Sequence, residues 1–218
     1  MLSPFKDKLP ILSIAVDKEE EFAFFGNSKG NVCINKIDKD PSKFKFYQTI
    51  THQMSPISHI DCNNVLNLWA SGSIDGYINI YTLPLSKLIR IIKVPTNNLE
   101  NVFLSESPLP SIIAITDENN ISEIFVYSLN GKLLLRQKEE DLINCPLMIR
   151  DMNTNNYLAY IIQDNVVIRS LPNLIREVCI DGVNNIYSIC PSEDMKSLYG
   201  LNKTGSEVYV IKEEKEKN

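Results

Sequence analysis

Ala70-Ser-Gly-Ser-Ile-Asp-Gly-Tyr-Ile-Asn-Ile-Tyr81 holds two short apolar runs on either side of a turn bracketed by glycines. In the second run Ile78 and Ile80 alternate with Tyr77, Asn79 and Tyr81, the two-residue period of a strand. Glycine supplies the positive φ that a tight hairpin demands. The stretch therefore predicts strand, turn, strand.

Four more segments repeat its second half: Asn31–Ile37, Glu123–Leu129, Asn165–Leu171 and Glu207–Lys212. Their matching β-branched positions are Ile34, Ile80, Val126, Ile168 and Val210, spaced 46, 46, 42 and 42 residues apart. A period of roughly 40–45 residues with four strands per unit is the mark of a β-propeller. A first strand precedes each hairpin: Ile11–Val16, Ile57–Ile60, Val102–Leu104, Leu147–Ile149 and Ile186–Ile189. Polar turns such as Asp17–Glu20, Asp61–Asn64 and Pro191–Asp194 follow those strands. A fourth, more polar strand closes the first four units at Phe46–Ile50, Lys87–Ile92, Lys132–Arg136 and Ile175–Cys179.

The turn between second and third strands keeps its chemistry. It reads Gly26–Gly30, Gly72–Gly76 and Gly200–Gly205, and in units three and four Asp117–Asn120 and Gln163–Asn165, where Asn tolerates the left-handed conformation. Pro84 and Pro172 follow third strands, and Pro56 and Pro146 precede first strands, so none interrupts a central strand. The expected fold is an all-β, WD40-like propeller of about five four-stranded blades, at 10–50, 55–93, 99–137, 142–180 and 183–212. Residues 1–9 form a lead-in, Asp38–Lys43 an extra charged connection and 213–218 a charged tail. Because no fourth strand is visible in the last unit, we expect the segment 10–212 to be part of a larger ring.

Ala70–Tyr81 resembles the second-to-third-strand core of a WD repeat. The Trp-Asp dipeptide that ends the third strand of such repeats is replaced here by Asn35-Lys36, Tyr81-Thr82, Tyr127-Ser128, Arg169-Ser170 and Ile211-Lys212. The succession Gly72–Gly76, Tyr81-Thr-Leu-Pro84, Lys87-Leu-Ile-Arg90 and Tyr127-Ser-Leu-Asn-Gly-Lys-Leu133 is similar to the C-terminal WD-repeat region of BEACH-domain, neurobeachin-like proteins. That resemblance implies a non-catalytic protein-interaction scaffold in intracellular vesicle traffic. It implies a cytoplasmic place peripheral to endomembranes, with any membrane contact indirect or through an upstream BEACH and PH-like region missing here.

Composition narrows the classes. A net charge of −5 over 218 residues is ill suited to phosphate binding, so nucleic acid is not an expected partner. The five scattered cysteines include no C-x-x-C pair, which points to reduced thiols. No signal-peptide core stands near the N-terminus, and no apolar run approaches the roughly 18 residues of a membrane span.

No catalytic, metal or cofactor site is expected. His52 and His59 are the only histidines, and with Cys62 they make too few ligands for a metal. Gly26-Asn-Ser-Lys-Gly30 has the G-x-S-x-G spacing, but it joins two strands and leads into no helix, so it reads as a hairpin turn and not as a nucleophile elbow. Gly72–Gly76 leads into a strand, so it lacks the helix N-terminus of a phosphate cradle. The acidic runs Glu19–Glu21 and Glu139–Asp141 read as solvated loops. Trp69, Tyr81 and Tyr127 read as packing residues, and Arg90 and Arg136 as outer-strand charges. Propellers bind partners through loops at one end of the sheets. Here those loops offer His52, Gln53, Met54, Asp75, Asn97, Asn98 and Lys203 to protein partners. The alternative is a small closed five-bladed enzyme, glycosidase-like, or a sugar-binding lectin. It would need facing carboxylates, and the first strands carry few.

Overall fold

The computed structural model describes residues 9–17, 19, 21–38, 44–150, 155–180, 186–192, 197–202 and 208–212. The charged connection beyond Asp38, nearly all of the lead-in, the tail and Lys203 lie outside them. The described residues form nineteen strands and no helix.

Five sheets follow one another along the chain. The first holds β1 (Ile11–Val16), β2 (Phe22–Asn27), β3 (Val32–Ile37) and β4 (Phe44–Ile50). The second holds β5 (Ile57–Asn63), β6 (Leu68–Ser73), β7 (Tyr77–Thr82) and β8 (Leu88–Lys93). The third holds β9 (Leu99–Ser105), β10 (Ser111–Glu118), β11 (Ile121–Ser128) and β12 (Leu133–Lys138). The fourth holds β13 (Ile143–Arg150), β14 (Asn156–Ile162), β15 (Asn165–Ser170) and β16 (Arg176–Ile180). The fifth holds β17 (Ile186–Pro191), β18 (Ser197–Asn202) and β19 (Val208–Lys212). In each sheet the strands lie side by side in chain order, as an antiparallel meander.

The repeat shows in the register as well as in the sequence. Phe24 faces Ile34 across β2–β3, Ala70 faces Ile80 across β6–β7, and Ala159 faces Ile168 across β14–β15. A bulge interrupts the first strand at Ile11/Ser13, Ile57/His59 and Ile186/Ser188. A second bulge interrupts the third-to-fourth pairing at Ile34/Asn35, Ile80/Tyr81 and Ile168/Arg169. Bulges increase local twist, so their recurrence gives these sheets a common curvature.

The chain divides into two compact units. The first takes in the first two sheets and most of the third, where β1 packs on β5 and β5 on β9. Its core has two parts. Phe22, Phe24, Val32 and Ile34 meet Ile57, Ile60, Trp69 and Tyr81 between the first and second sheets. Ala70, Ile78 and Ile80 meet Leu99, Val102 and Phe125 between the second and third. In the second unit β13 packs on β17, and Ala159, Ile161 and Val166 meet Ile186, Ile189 and Leu198.

Some local expectations need correction. Asp61, Cys62 and Asn63 belong to β5 rather than to a turn, because the Asp61 and Asn63 side chains bond β9. Pro146 lies within β13, a first strand with one free edge, beside a bulge where Cys145 has a positive φ. Gly30 and Gly76 hold the positive φ of the hairpin turns, whereas Gly26 and Gly72 sit inside β2 and β6. A Cβ on Gly26 would stand 2.6 Å from Ile57 Cγ2, and one on Gly72 would stand 2.6 Å from Val102 Cγ2. Those two glycines let the next sheet's first strand approach. In the third sheet Asn119 and Asn120 take the left-handed role as expected, but in the fourth Gln163 takes it instead of Asn165.

Candidate functional site

Backbone bonds gather the loops that bear the predicted interaction residues at one end of the first unit. Ile74 N donates to Pro56 O at 2.9 Å, Leu99 N to Ile74 O at 3.0 Å and Asp117 N to Asn98 O at 3.1 Å. His52, Gln53, Met54, Asp75, Asn97 and Asn98 therefore share one loop cluster. Their side chains divide into structural and free groups.

Gln53 turns inward and is 6% exposed. Its Nε2 donates to Ser73 Oγ and to Tyr77 O, both at 3.0 Å, and its Oε1 accepts from Ser71 Oγ at 2.5 Å. Ser73 Oγ in turn donates to Asp75 Oδ1 at 2.6 Å. His52 lies flat beside Tyr81, with ring centroids 5.8 Å apart and Nδ1 3.3 Å from Tyr81 Oη. Tyr81 Oη also accepts from Asn79 Nδ2 at 3.1 Å, and burial pushes the phenol pKa up. Buried polar groups need partners, and in the second sheet each of these has one. Gln53, His52 and Asp75 thus act as a tether that fixes the loop preceding β5.

Met54 is the outward residue, 91% exposed. Tyr77, whose carbonyl accepts from Gln53 Nε2, is also exposed, with its ring under Lys93 Nζ at 4.6 Å from the centroid. Lys93 Nζ donates to Asp75 O and to Thr96 O. Asn97 is exposed; its N–H and the Thr96 hydroxyl both bond Glu118 Oε1, holding that carboxyl below its usual range. Asn98 spends its side chain on Asp117 O at 2.9 Å. The surface left over is one thioether, one aromatic ring and a few charged or amide groups on rigid loops.

The sequence reading missed a second cluster, in the second unit. Glu139 is 7% exposed, so its placement in a solvated loop was wrong. Its Oε1 accepts from Arg169 Nη2 at 2.8 Å. Arg169 Nε donates to Tyr160 Oη at 2.7 Å and Nη1 to Leu174 O at 2.9 Å. Burial is the largest influence on Tyr160 and drives its phenol well up. Glu139 stands four residues before Ile143, as Gln53 stands four before Ile57. Tyr160 and Arg169 occupy the register positions of Ser71 and Tyr81. One tether is built twice, centred on an amide in the second sheet and on an ion pair in the fourth. The signal was available: Arg169 takes the place of the Trp of the repeat, and a buried Arg demands an acid.

Nothing in the first strands forms a catalytic pair. Their only carboxylates among the described residues are Asp61 and Glu100. Asp61 Oδ2 accepts from Leu104 N at 2.7 Å. His59 Nδ1 bonds Val102 O at 2.9 Å, and burial holds its pKa down. Burial, then Asp61 and Asp17, push the Cys62 thiol far up, which leaves it without nucleophilic thiolate. No group of three or more His, Cys, Asp or Glu is placed to hold a metal among the described residues. Nor, among them, is any helix long and apolar enough to cross a membrane. None of the five cysteines forms a disulfide. Trp69 and Tyr81 do pack, stacked at 4.1 Å, and Arg136 pairs with Glu123 at 2.6 Å on the outer strand.

No protein-family description matches the chain. No curated protein matches it either. Solved structures do: 1300 chains match. Among them is the hydrazine synthase of Kuenenia stuttgartiensis, with a TM-score of 0.69 at 13% identity. The match covers 92% of this chain but 64% of that one, so this chain spans about two thirds of the solved chain's length. At that identity the likeness is one of fold alone. Together with the stacked meander sheets it shows an all-β, β-propeller-like fold.

Proposed function

We propose that the chain is a non-catalytic protein-interaction platform, with Met54, Tyr77 and Asn97 at the centre of its binding face. One observation carries this reading: the tether through Gln53, Ser71, Ser73 and Asp75 fixes the loops while leaving Met54 91% exposed. A flexible thioether on a rigid loop is an adaptable apolar contact, and a neighbouring aromatic supplies area at low entropic cost. The WD-repeat type, the membership of a larger ring and a role in a BEACH-type scaffold of vesicle traffic in the cytoplasm are part of the proposal. They rest on the sequence resemblance. The glycosidase or lectin alternative gains no support from the first strands, whose Asp61 is engaged by Leu104 N.

The test is affinity capture with the wild-type chain and two variants, read by quantitative mass spectrometry. Met54→Asp is expected to lose a specific set of proteins that wild type retains. Val65→Asp, which alters an exposed residue 62% accessible in the β5–β6 turn, is expected to keep them. Identical sets from wild type and Met54→Asp would reject the loop face as the binding site.

A further inference from the structure

We infer that β8, the open edge of the second sheet, accepts an extended acidic segment of a partner protein as a fifth strand. Binding there needs nothing from Met54 and so stands apart from the loop face.

The register shows which backbone groups of β8 are free. The second sheet runs β5-β6-β7-β8, so β8 has a strand on one side only. Val94 N donates to Gly76 O at 2.8 Å, which makes Gly76 and Val94 a hydrogen-bonded pair of the ladder. Such pairs alternate with non-hydrogen-bonded ones along antiparallel strands. Tyr77 with Lys93 and Asn79 with Ile91 are therefore the non-hydrogen-bonded pairs. It follows that the N–H and C=O groups of Ile91 and Lys93 point away from β7. Among the described residues, none bonds these four groups.

The side chains say what kind of strand fits. Lys87, Arg90 and Lys93 are all exposed, and no acid lies between them in the sequence. None of the three forms an ion pair among the described residues. Lys93 Nζ meets only carbonyls and the Tyr77 ring. The chain as a whole carries −5, so this run of three cations is a local feature. A second copy of β8 laid alongside would set cation against cation, which is destabilising, whereas an acidic strand meets the opposite sign. Between the cations, Ile89 and Ile91 are 48% and 53% exposed. These are β-branched side chains suited to packing a cross-strand neighbour. The outer strand of the third sheet lacks the combination, because Glu123 neutralises Arg136 on β12. A strand added to a sheet edge draws affinity from main-chain bonds and selectivity from alternate side chains. β8 offers both.

Fluorescence anisotropy on the full chain, with a labelled Glu-Val-Glu-Val-Glu-Val-Glu peptide, tests this. Saturable binding that weakens as salt rises is expected. The matching Lys-Val peptide is expected not to bind. The acidic peptide N-methylated at every amide keeps its charge but cannot donate, and it too is expected not to bind. Ile91→Pro removes an outward N–H and leaves the bonds to β7 in place, so it should weaken binding by about tenfold. Arg90→Glu reverses one charge and should also weaken it. Circular dichroism melts verify that both variants fold; if Ile91→Pro does not, Arg90→Glu and the methylated peptide decide. Absence of saturable binding by the acidic peptide overturns the inference. Equal binding of the methylated peptide does so too, since it would leave only charge attraction. So does capture of the chain by phosphatidylserine vesicles with no binding of the peptide, which would assign the cations to a membrane.

Discussion

At Arg169 and Glu139 the side chains are 11% and 6% exposed, so neither charge has water to fall back on. Removing one partner strands the other in a poor solvent, which costs about 3–5 kcal/mol, whereas replacing both with apolar groups can be near neutral. We expect Arg169→Met to lower the stability of the second unit by that amount. Adding Glu139→Leu to it should recover most of the loss. Calorimetric melts of the single and double variants measure the difference. His59 gives a second residue-scale prediction. Its folded pKa lies below the ordinary value of about 6.5 because burial disfavours the imidazolium. In the window below that value the unfolded chain takes up more protons than the folded one, so stability falls as pH falls from about 6.5 through the lowered folded pKa. His59→Gln should flatten that slope. The single Trp, buried in the first unit, reports the transition by fluorescence.

Elements here are held by turns whose geometry the neighbours dictate. Gly76 has φ +87°, and a Cβ there would lie 2.7 Å from both Val94 O and Thr96 O. Those are backbone atoms and cannot swing aside. Gly76→Ala is expected to cost at least about 1–3 kcal/mol from backbone strain, with further loss from the clash. Urea titration followed by Trp69 fluorescence measures it. Outer strands behave differently. Ile89 and Ile91 on β8 and Leu133 on β12 are about half exposed, whereas Trp69, Ala70 and Ile78 on β6 and β7 are fully buried. Hydrogen exchange should be slowest at the amides of β6 and β7 and fastest along β8 and β12, because local opening follows buried contact. Equal protection across all four strands would contradict that order.

At the scale of the whole molecule, the all-β fold, the meander and the strand rhythm were legible in the sequence. Alternation, turn residues and a fixed period are local properties, written wherever the chain must expose one side of a strand and bury the other. The strand limits that were misjudged were those set from outside. β5 extends through Asp61 and Asn63 because β9 offers a backbone N–H and a carbonyl to bond them. The loop cluster was legible too, since hairpin turns and connections of a meander alternate between two ends. Which of its residues are free was not. Gln53 and Met54 are adjacent and both unremarkable in sequence, yet one is 6% and the other 91% exposed. Only the proximity of Ser71 and Ser73 draws the first inward. Glu139 and Arg169 are thirty residues apart, and their pairing exists only once β15 is laid beside β14. Sequence by itself determined the repeating unit, because a unit's pattern depends on its own chain. Tertiary structure decided which faces and polar groups are satisfied, because burial and hydrogen bonding depend on what other parts of the chain are brought against them.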